Sequence, residues 1–425
     1  MATLYFDNSS GSDWQTLGNW WTDPPEADPR TAAAALPTSS DSVHIYGPEC
    51  TNSGAQPTVA NLTVHYTNID LDITVTGTGT VEFRGGSLAA GRTLTYTGRA
   101  NFVDGNGFNY GTVTGDATFN GNWQNNGTVS GDATFNVVSQ NNGTIGGDAE
   151  FNEDSVNSNS GTVTGNATFA NGAQNQGTVG GNATFNDYSS NYGGTVTGDA
   201  TFDDNSHNSG TVTGDATFND GSSSQNGTIG GDATFNDGSW NSYSSTVNGI
   251  TTFKDNSYNT GTVSGNATFY DYSYQNGTAS GDATFYDYAQ NGNAVGGNAT
   301  FNDDSWNNYG TVNGIATFND NSYATDTNNT FYGHATFNDN SYIDEGSMNN
   351  ATFNDKSRMN GGTVSGLATF NDRSYVTGGS FNGGLTISGD PVMAGAGLTN
   401  SLTNGTFTFY RAQLGINGSS ILGVI

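Results

Sequence analysis

The chain has 425 residues, and 39 acidic residues against 9 Lys and Arg give it a formal net charge of −30. Such a surface repels nucleic-acid phosphates and anionic lipids, which excludes nucleic acid and membrane as partners. The single cysteine, Cys50, excludes an intramolecular disulfide framework, and no apolar run reaches the roughly 20 residues of a membrane span.

The first 66 residues differ in composition from the rest of the chain. They hold three of the six tryptophans, Trp14, Trp20 and Trp21, and most of the prolines. This composition predicts an N-terminal cap or docking module over residues 1–66. The opening stretch MATLYFDNSSGSDW has neither a basic segment nor an apolar core, so no classical signal peptide is predicted.

A short repeat follows, of which GTVTGDATFND (210–220) is a typical copy. One phenylalanine per copy sets the register, with a mean spacing of about 17 residues. These phenylalanines are Phe119, Phe135, Phe151, Phe169, Phe185, Phe202, Phe218, Phe235, Phe253, Phe269, Phe285, Phe301, Phe318, Phe337, Phe353 and Phe370. A period this short suits one coil of a β-solenoid. We therefore predict an all-β, single-chain parallel β-solenoid (β-helix) over residues 67–378, regular from about residue 102 and right-handed by default.

Alternation along a strand sorts each repeat into inward and outward residues. Val212, Ala216 and Phe218 share one parity and are predicted to point inward. The sixth residue after each phenylalanine is often Asn, as at Asn208, or aliphatic, as at Ile343, and it is never charged. This pattern predicts a buried ladder of stacked amides, although these Asn residues could instead supply left-handed turn geometry.

The repeat is lost at the C-terminal end of the chain. The apolar stretch over residues 406–425 no longer follows the pattern. Because an open solenoid end polymerises unless it is covered, we predict a C-terminal cap over residues 379–425, where an oligomer contact is the alternative.

The order of the N-terminal motifs resembles a known architecture. WQTLGNWWTD (14–23) precedes LPTSSDSVHIYG (36–47) and then the regular coils. This series is similar to the parallel β-helix regions of phage tail fibres and bacterial surface adhesins, in which an Asn-Trp strand leads to a Pro and an Asp-x-Val strand. The matching residues here are Asn19, Trp20, Pro37, Asp41 and Val43. The resemblance implies a fibre located on a virion or an extracellular surface.

A column of aromatic residues lies five positions after the phenylalanine in the later coils. Contiguous exposed aromatics are typical of binding surfaces, and sugar rings stack well on them. Two further tyrosines stand two residues before column positions and are predicted to share the same strand face. The predicted glycan face comprises Trp240, Tyr258, Tyr272, Tyr274, Tyr288, Trp306, Tyr323 and Tyr342. The alternative is that the column only stabilises the fold by cross-strand stacking.

A column of aspartates lies two positions after the phenylalanine in every coil from Phe185 onward. Since like charges stacked about 4.8 Å apart repel, the preferred interpretation is an Asx-turn, in which each carboxylate accepts a backbone N–H near the following Ser. The alternative is Ca²⁺ held between coils by carboxylate oxygens. The candidate metal ligands are Asp187, Asp204, Asp220, Asp237, Asp255 and Asp271. No other cofactor is predicted.

The sequence therefore predicts a structural and adhesive rod without enzymatic activity, a viral tail fibre or comparable surface fibre. Its predicted partners are host surface polysaccharide or glycan and, through the end caps, other virion or fibre subunits, with a homo-oligomer left open.

Two other classes of function stay open. A polysaccharide-cleaving β-helix needs two carboxylates in unlike environments, and only the irregular coil from Tyr323 to Glu345 supplies candidates. These are Asp326, His334, Asp344 and Glu345. An ice-binding solenoid would use the outward threonine column of the coils. Its first members are Thr118, Thr134, Thr168, Thr184 and Thr201.

Overall fold

The computed structural model describes residues 2–393 and 407–410. It confirms the predicted fold class: the chain is an all-β parallel β-solenoid with about 17 residues per turn. Within the described residues the only helix is a short 3-10 helix, Leu17–Asn19. The chain divides into two compact units, Met1–Gly214 and Asp215–Ile425, here called the N-terminal and C-terminal units.

Each regular coil carries three short strands, here called first, second and third in chain order. The coils of the N-terminal unit before residue 110 are less regular, and their strands are Thr3–Phe6, Trp20–Trp21, Ser42–Tyr46, Glu49–Thr51, Thr58–Val59, Asn61–Asp70, Ile73–Val75, Val81–Leu88, Thr93–Thr95 and Arg99–Asn109. In the regular coils of the N-terminal unit, the first strands are Thr112–Val113, Thr128–Val129, Thr144–Ile145, Thr162–Val163, Thr178–Val179, Thr195–Val196 and Thr211–Val212. Its second strands are Asp116–Asn120, Ala133–Asn136, Ala149–Phe151, Ala167–Phe169, Ala183–Phe185 and Ala200–Phe202. Its third strands are Trp123–Asn125, Gln140–Asn141, Val156–Asn157, Gln174–Asn175, Ser190–Asn191 and His207–Asn208.

The C-terminal unit repeats the same three strands. Its first strands are Thr228–Ile229, Thr246–Val247, Thr262–Val263, Thr278–Ala279, Ala294–Val295, Thr311–Val312, Thr363–Val364 and Ser380–Phe381. Its second strands are Ala216–Phe218, Ala233–Phe235, Thr251–Phe253, Ala267–Phe269, Ala283–Phe285, Ala299–Phe301, Ala316–Phe318, Thr330–Phe337, Ser347–Phe353, Leu367–Asn371, Gly384–Ser388 and Phe407–Tyr410, and two of these, Thr330–Phe337 and Ser347–Phe353, also include the first strand. Its third strands are Ser223–Ser224, Trp240–Asn241, Tyr258–Asn259, Tyr274–Gln275, Gln290–Asn291, Trp306–Asn307, Tyr323–Ala324, Tyr342–Ile343, Arg358–Met359, Tyr375–Val376 and Val392–Met393.

In the regular coils of each unit, each strand pairs in parallel with the strand at the same position of the next coil, so equivalent residues meet. In the C-terminal unit, for example, Ala267 pairs with Ala283 and Phe269 with Phe285. The phenylalanine rings stack at centroid distances of 4.5–4.9 Å from Phe218 to Phe370, which is the spacing of strands in a sheet. The predicted inward residues Val212, Ala216 and Phe218 are all buried.

The predicted amide ladder is also present in the core. In the N-terminal unit the amide nitrogen of each ladder Asn donates to the amide oxygen of the next, over 2.7–2.9 Å, so the buried polar groups satisfy one another. Its members are Asn109, Asn125, Asn141, Asn157, Asn175, Asn191 and Asn208. In the C-terminal unit the ladder passes from Asn307 to Asn329, which the irregular coil supplies in place of the buried Ala324.

Parallel pairing already occurs in the segment predicted as the N-terminal cap. Thr3–Phe6 pairs in parallel with Ser42–Tyr46, which pairs in turn with Asn61–Asp70. Trp14 and Trp20 are buried together, and the indole nitrogen of Trp20 donates to the carbonyl of Trp14 over 2.8 Å. The segment thus has coil-like pairing and a core of its own, and its role as a cap or docking module stays a prediction.

The coils continue into the region assigned to the C-terminal cap. Ser380–Phe381 and Gly384–Ser388 pair in parallel with the strands of the preceding coil. The rest of the predicted cap, residues 394–406 and 411–425, lies outside the described residues.

Candidate functional site

The aromatic column occupies the first residue of the third strands in the C-terminal unit. Third strands have two residues, of which the second points into the core and the first points outward, as for Trp240 and the buried Asn241. Most members of the column are half-buried, and Tyr375 is 37% exposed. The column comprises Trp240, Tyr258, Tyr274, Trp306, Tyr323, Tyr342 and Tyr375. The structure therefore brings six of the eight predicted glycan-face residues into one row.

The rings of this column stack in two runs. Trp240 and Tyr258 are parallel within 2°, with ring centroids 5.7 Å apart. Trp306, Tyr323 and Tyr342 form the second run, at 5.8 and 5.0 Å. Tyr274 and Gln290 occupy the two column positions between the runs, and Gln290 pairs with Trp306. The half-buried rings of each run are therefore partly accessible to a ligand.

The phenol groups of Tyr258, Tyr323 and Tyr342 stay neutral at physiological pH because their pKa values are raised. Burial raises the pKa of Tyr258, and burial together with the nearby carboxylates of Asp304 and Asp344 raises the pKa values of Tyr323 and Tyr342. Each ring thus offers an apolar body and a hydroxyl that donates and accepts hydrogen bonds. This combination suits a polyhydroxylated ligand.

The prediction that Tyr272 and Tyr288 share the strand face of the column is wrong. Both lie in the turn between the second and third strands, with left-handed backbone at φ 60°. Two consecutive left-handed residues interrupt the strand alternation on which the prediction was based. The two rings stack on each other at 5.1 Å and are 61% and 45% exposed.

A second pair of tyrosines, missed by the sequence analysis, lies next to these turn residues. Tyr270 and Tyr286 directly follow the core phenylalanines of the same two coils, and their rings stack at 5.0 Å. At the equivalent position in several other coils, Asn side chains form an outer ladder instead, as between Asn302 and Asn319. The signal in the sequence was the paired motif FYDY at 269–272 and 285–288. Two stacked pairs make this corner the densest group of tyrosines on the unit.

The aspartate column forms the first residue of the same turns. Asp220 and Gly221 both have positive φ, and Ser222 donates its backbone N–H to the carbonyl of Asn219 over 3.0 Å, which is the geometry of a type I′ turn. The Asx-turn interpretation is therefore wrong for this turn, because the acceptor is the backbone carbonyl and not the Asp carboxylate. Asp recurs there because its short polar side chain tolerates left-handed backbone.

The candidate calcium ligands project from successive turns. All six have left-handed backbone, namely Asp187, Asp204, Asp220, Asp237, Asp255 and Asp271. Burial, followed by the neighbouring carboxylates of Asp271 and Asp303, raises the pKa of Asp287 in the same column. Across residues 2–393 and 407–410, no three His, Cys, Asp or Glu side chains converge as metal ligands would. Calcium binding between coils stays a prediction.

The candidate residues of the irregular coil are engaged with different neighbours. Asp326 accepts a hydrogen bond from the backbone N–H of Asn328, and Asp344 accepts one from the side chain of Asn360, both over 2.8 Å. The imidazole of His334 lies 2.9 Å from the hydroxyl of Thr352. Glu345 is the fourth candidate. In the described part of the chain, no hydrogen bond or ion pair joins any two of the four.

The outward threonine column differs between the two units. In the N-terminal unit Glu150 interrupts it between Thr134 and Thr168. In the C-terminal unit it is continuous from Thr217 to Thr386, with each threonine in register with the next. The longer uninterrupted array of hydroxyl and methyl groups is therefore in the C-terminal unit, while the N-terminal unit has a shorter one from Thr168 to Thr201.

Comparisons of the chain with models of known families, with characterised proteins and with solved structures gave no match. Among the described residues, no helix has the length and apolar character needed to span a bilayer. Function is therefore inferred from the surface geometry of the solenoid.

Proposed function

We propose that the protein is a structural and adhesive β-solenoid whose C-terminal unit binds surface glycans through its aromatic column and the tyrosine pair at the turn. The observation that carries this proposal is the placement of aromatic rings where the fold does not need them. The third strands of the N-terminal unit form the same pairing with Gln140, Gln174 or Ser190 at the column position.

The turn tyrosines support the proposal through their backbone conformation. Left-handed backbone costs a residue with a Cβ roughly 1–2 kcal/mol, and the equivalent positions Gly221 and Asn256 carry residues that adopt it more readily. Strained backbone of this kind is concentrated at functional sites. The backbone at Tyr272 and Tyr288 therefore lowers the stability of the fold while it presents two exposed rings. A role of these rings in ligand binding explains why tyrosine occupies both positions.

Within this class we propose a fibre of the tail-fibre or adhesin type, located on a virion or an extracellular surface. The resemblance of the N-terminal motifs supports this assignment, together with the pairing of each regular coil with its neighbours, which is typical of solenoid scaffolds. Electron microscopy of the source particles tests it. Thin rods labelled by an antibody against the chain are expected, and particles without such labelled rods would overturn it.

Glycan binding is tested by two double variants of the full chain. Trp240→Ser with Trp306→Ser removes the two tryptophans of the column, and Tyr272→Asn with Tyr288→Asn replaces the turn tyrosines by a residue that other coils use there. Each double variant should weaken binding to host surface polysaccharide at least about tenfold, which corresponds to about 1.4 kcal/mol.

The matched control is Tyr110→Ser with Tyr192→Ser, which removes two exposed tyrosines, 44% and 60% exposed, from the N-terminal unit. This control should bind as the unmodified chain does. Test variants that bind as tightly as the unmodified chain would overturn the proposal. A control that loses as much affinity as the test variants would also overturn it.

A second candidate function, ice binding, is favoured by the continuous threonine column of the C-terminal unit. Threonines repeated about every 4.8 Å along parallel strands present a regular row of hydroxyl and methyl groups to water. The test is thermal hysteresis of the full chain. Activity that Thr268→Lys abolishes would establish this function, and freezing at the equilibrium melting point would exclude it.

A further inference from the structure

Three of the few cations of this acidic chain lie together near the end of the described coils. The sequence has nine Lys and Arg residues, and three of them, Lys356, Arg358 and Arg373, fall within two successive coils of the C-terminal unit. All three are exposed. Lys356 and Arg373 occupy equivalent turn positions, and Arg358 occupies a position of the aromatic column.

These three cations differ from the other described arginines in having no charged partner. Arg30, Arg84, Arg92 and Arg99 of the N-terminal unit each form an ion pair with a carboxylate. Over the described residues, the side chains of Lys356, Arg358 and Arg373 take part in no ion pair and donate no hydrogen bond to the protein. In a chain with 39 Asp and Glu, three neighbouring cations are thus available to an external anion.

Two of these cations, Lys356 and Arg358, border a groove that is open to solvent. Its volume is about 390 Å³, and it is lined by Asn340, Lys356, Arg358, Asn360, Tyr375 and Thr377. Binding sites for small ligands occupy roughly 300–1,000 Å³, so the groove is large enough for a sugar unit. The lining supplies two cations, an aromatic ring, two amides and a hydroxyl.

Hydrogen bonds fix the polar floor of this groove. Asn360 donates to the carboxylate of Asp344 over 2.8 Å, and the hydroxyl of Thr377 donates to the amide oxygen of Asn360 over 2.9 Å. Asp344 is therefore engaged by an amide. Asp339, Asp355 and Asp372 lie nearby at left-handed turn positions, and the backbone carbonyl of Asp339 accepts a hydrogen bond from the backbone N–H of Lys356 over 2.9 Å.

The groove is continuous with the aromatic column. The guanidinium group of Arg358 lies 5.2 Å from the ring centroid of Tyr342, which is itself the end of the run that begins at Trp306. Arg358 pairs in turn with Tyr375 in the next coil. A glycan lying along the column would therefore pass from ring edges directly to a planar cation that is held against an aromatic face.

We propose that this groove binds the carboxylate of an acidic sugar, so that the glycan recognised by the column carries uronic-acid or similar units. This inference rests on the proposed glycan-binding function. The planar fork of an arginine matches a carboxylate with two parallel hydrogen bonds, and Lys356 adds a second positive charge. The aromatic rings contact the sugar rings, and the groove selects for the acid group.

The experiment measures binding of the full chain to hexagalacturonate and to the same hexasaccharide with its carboxyl groups reduced to alcohols. The acidic form should bind at least about tenfold more tightly, because charge-assisted hydrogen bonds are about twice as strong as neutral ones. Arg358→Gln with Lys356→Gln should bring the ratio of the two affinities close to one. Lys254→Gln, which removes one positive charge from an exposed residue elsewhere in the unit, should leave the ratio unchanged.

Each other result overturns a defined part of the inference. Equal affinity of the unmodified chain for both hexasaccharides, or a ratio that Arg358→Gln with Lys356→Gln does not change, would overturn the groove assignment. Tighter binding of a sulfated galactose hexasaccharide than of hexagalacturonate would overturn the assignment to a carboxylate. Hexagalacturonate binding could depend on Arg358 but not on Trp240 and Trp306. That result would support the groove assignment and contradict the proposed aromatic glycan face.

Discussion

The cores of the two units are built in the same way, and the units differ in one outward column. In both, phenylalanine rings stack at nearly the strand spacing, at 4.6–4.9 Å from Phe102 to Phe202 and 4.5–4.9 Å from Phe218 to Phe370. At the first position of the third strand, the C-terminal unit carries mostly Trp and Tyr. The N-terminal unit carries Gln124, Gln140, Val156, Gln174, Ser190 and His207.

This difference separates what the fold requires from what it permits. A residue that points inward meets its copy in the next coil, so any change in its size is felt by both neighbours. A residue that points outward from a third strand meets solvent on one side and can vary. The aromatic column is therefore a property added to the C-terminal unit and not a requirement of a solenoid of this period.

The largest expected effect is on the shared core. Phe235→Ala in the C-terminal unit and Phe151→Ala in the N-terminal unit should each destabilise their unit by about 3–5 kcal/mol, since each leaves a cavity between two stacked rings. Hydrogen exchange should show the lost protection first around residues 219–253 and 135–169 respectively. Unchanged protection at either site would mean that the core of that unit is not built as described.

The next largest effect concerns the amide ladder, which is continuous only in the N-terminal unit. Asn157→Leu should cost about 2–4 kcal/mol, because it leaves a buried donor on Asn141 and a buried acceptor on Asn175. The matched change in the C-terminal unit, Ile343→Leu, should cost less than about 1.5 kcal/mol. Urea unfolding of the two variants measures the difference, and similar costs would contradict a role for the ladder in stability.

A smaller effect is expected at the aromatic column. Trp240→Gln places in the C-terminal unit the residue that Gln174 supplies in the N-terminal unit. Because a cross-strand pair contributes roughly 0.2–1 kcal/mol, the change should lower the free energy of unfolding by about 1 kcal/mol and also weaken glycan binding. Loss of several kcal/mol with full glycan binding would show that the column serves stability alone.

The two units should also respond to acid in opposite directions. Burial lowers the pKa values of His44 and His65 below their usual 6.5, so their contribution to stability is present above pH 6.5 and is lost as the pH falls through the folded-state pKa values. Burial raises the pKa of Asp287 above its usual 3.8, so its coil gains stability as the pH falls through the raised pKa toward 3.8. Hydrogen exchange between pH 7 and pH 4 should therefore show weaker protection near His44 and stronger protection near Asp287.

Two variants check the origin of these slopes, which are the changes of hydrogen-exchange protection with pH. Asp287→Asn should remove the gain near residue 287, and His65→Gln should reduce the loss near residue 44. Slopes of the same sign in both regions, or slopes that neither variant changes, would contradict the assignment.

The smallest expected effect is that of calcium. Because left-handed backbone at the turns already accounts for the aspartates, a chelator should leave the melting temperature within about 1 °C of its starting value. A rise on adding Ca²⁺ that Asp255→Asn with Asp271→Asn abolishes would instead establish the cation site.

Strand periodicity allowed much of the core to be predicted. The parity of Val212, Ala216 and Phe218 and the uncharged character of the Asn208 position predicted which residues are buried. The turn was not predictable by the same method, because two left-handed residues reset the alternation and moved Tyr272 off the strand face. The buried serines four positions after the phenylalanine, such as Ser139 and Ser155, were missed since Ser is equally common on surfaces.

The basic groove was not predicted from the sequence. Lys356 and Arg373 are 17 positions apart in sequence, and only the coil period brings them to equivalent turns. Arg358 occupies a position of the aromatic column, and its position over the ring of Tyr342 became evident with the structure. A search of the sequence for rare cations spaced by one period would have given the signal.

The amide ladder of the N-terminal unit also has a direction. Every amide from Asn109 to Asn191 donates to the following one, and within the described residues the oxygen of Asn109 accepts no hydrogen bond at the start of the row. Turning over one amide would set donor against donor on one side and acceptor against acceptor on the other. The amides must therefore reverse together or not at all, and their aligned dipoles strengthen one another. The coils of the N-terminal unit therefore have one common amide orientation, and the orientation of each Asn side chain is fixed by the amides on either side of it.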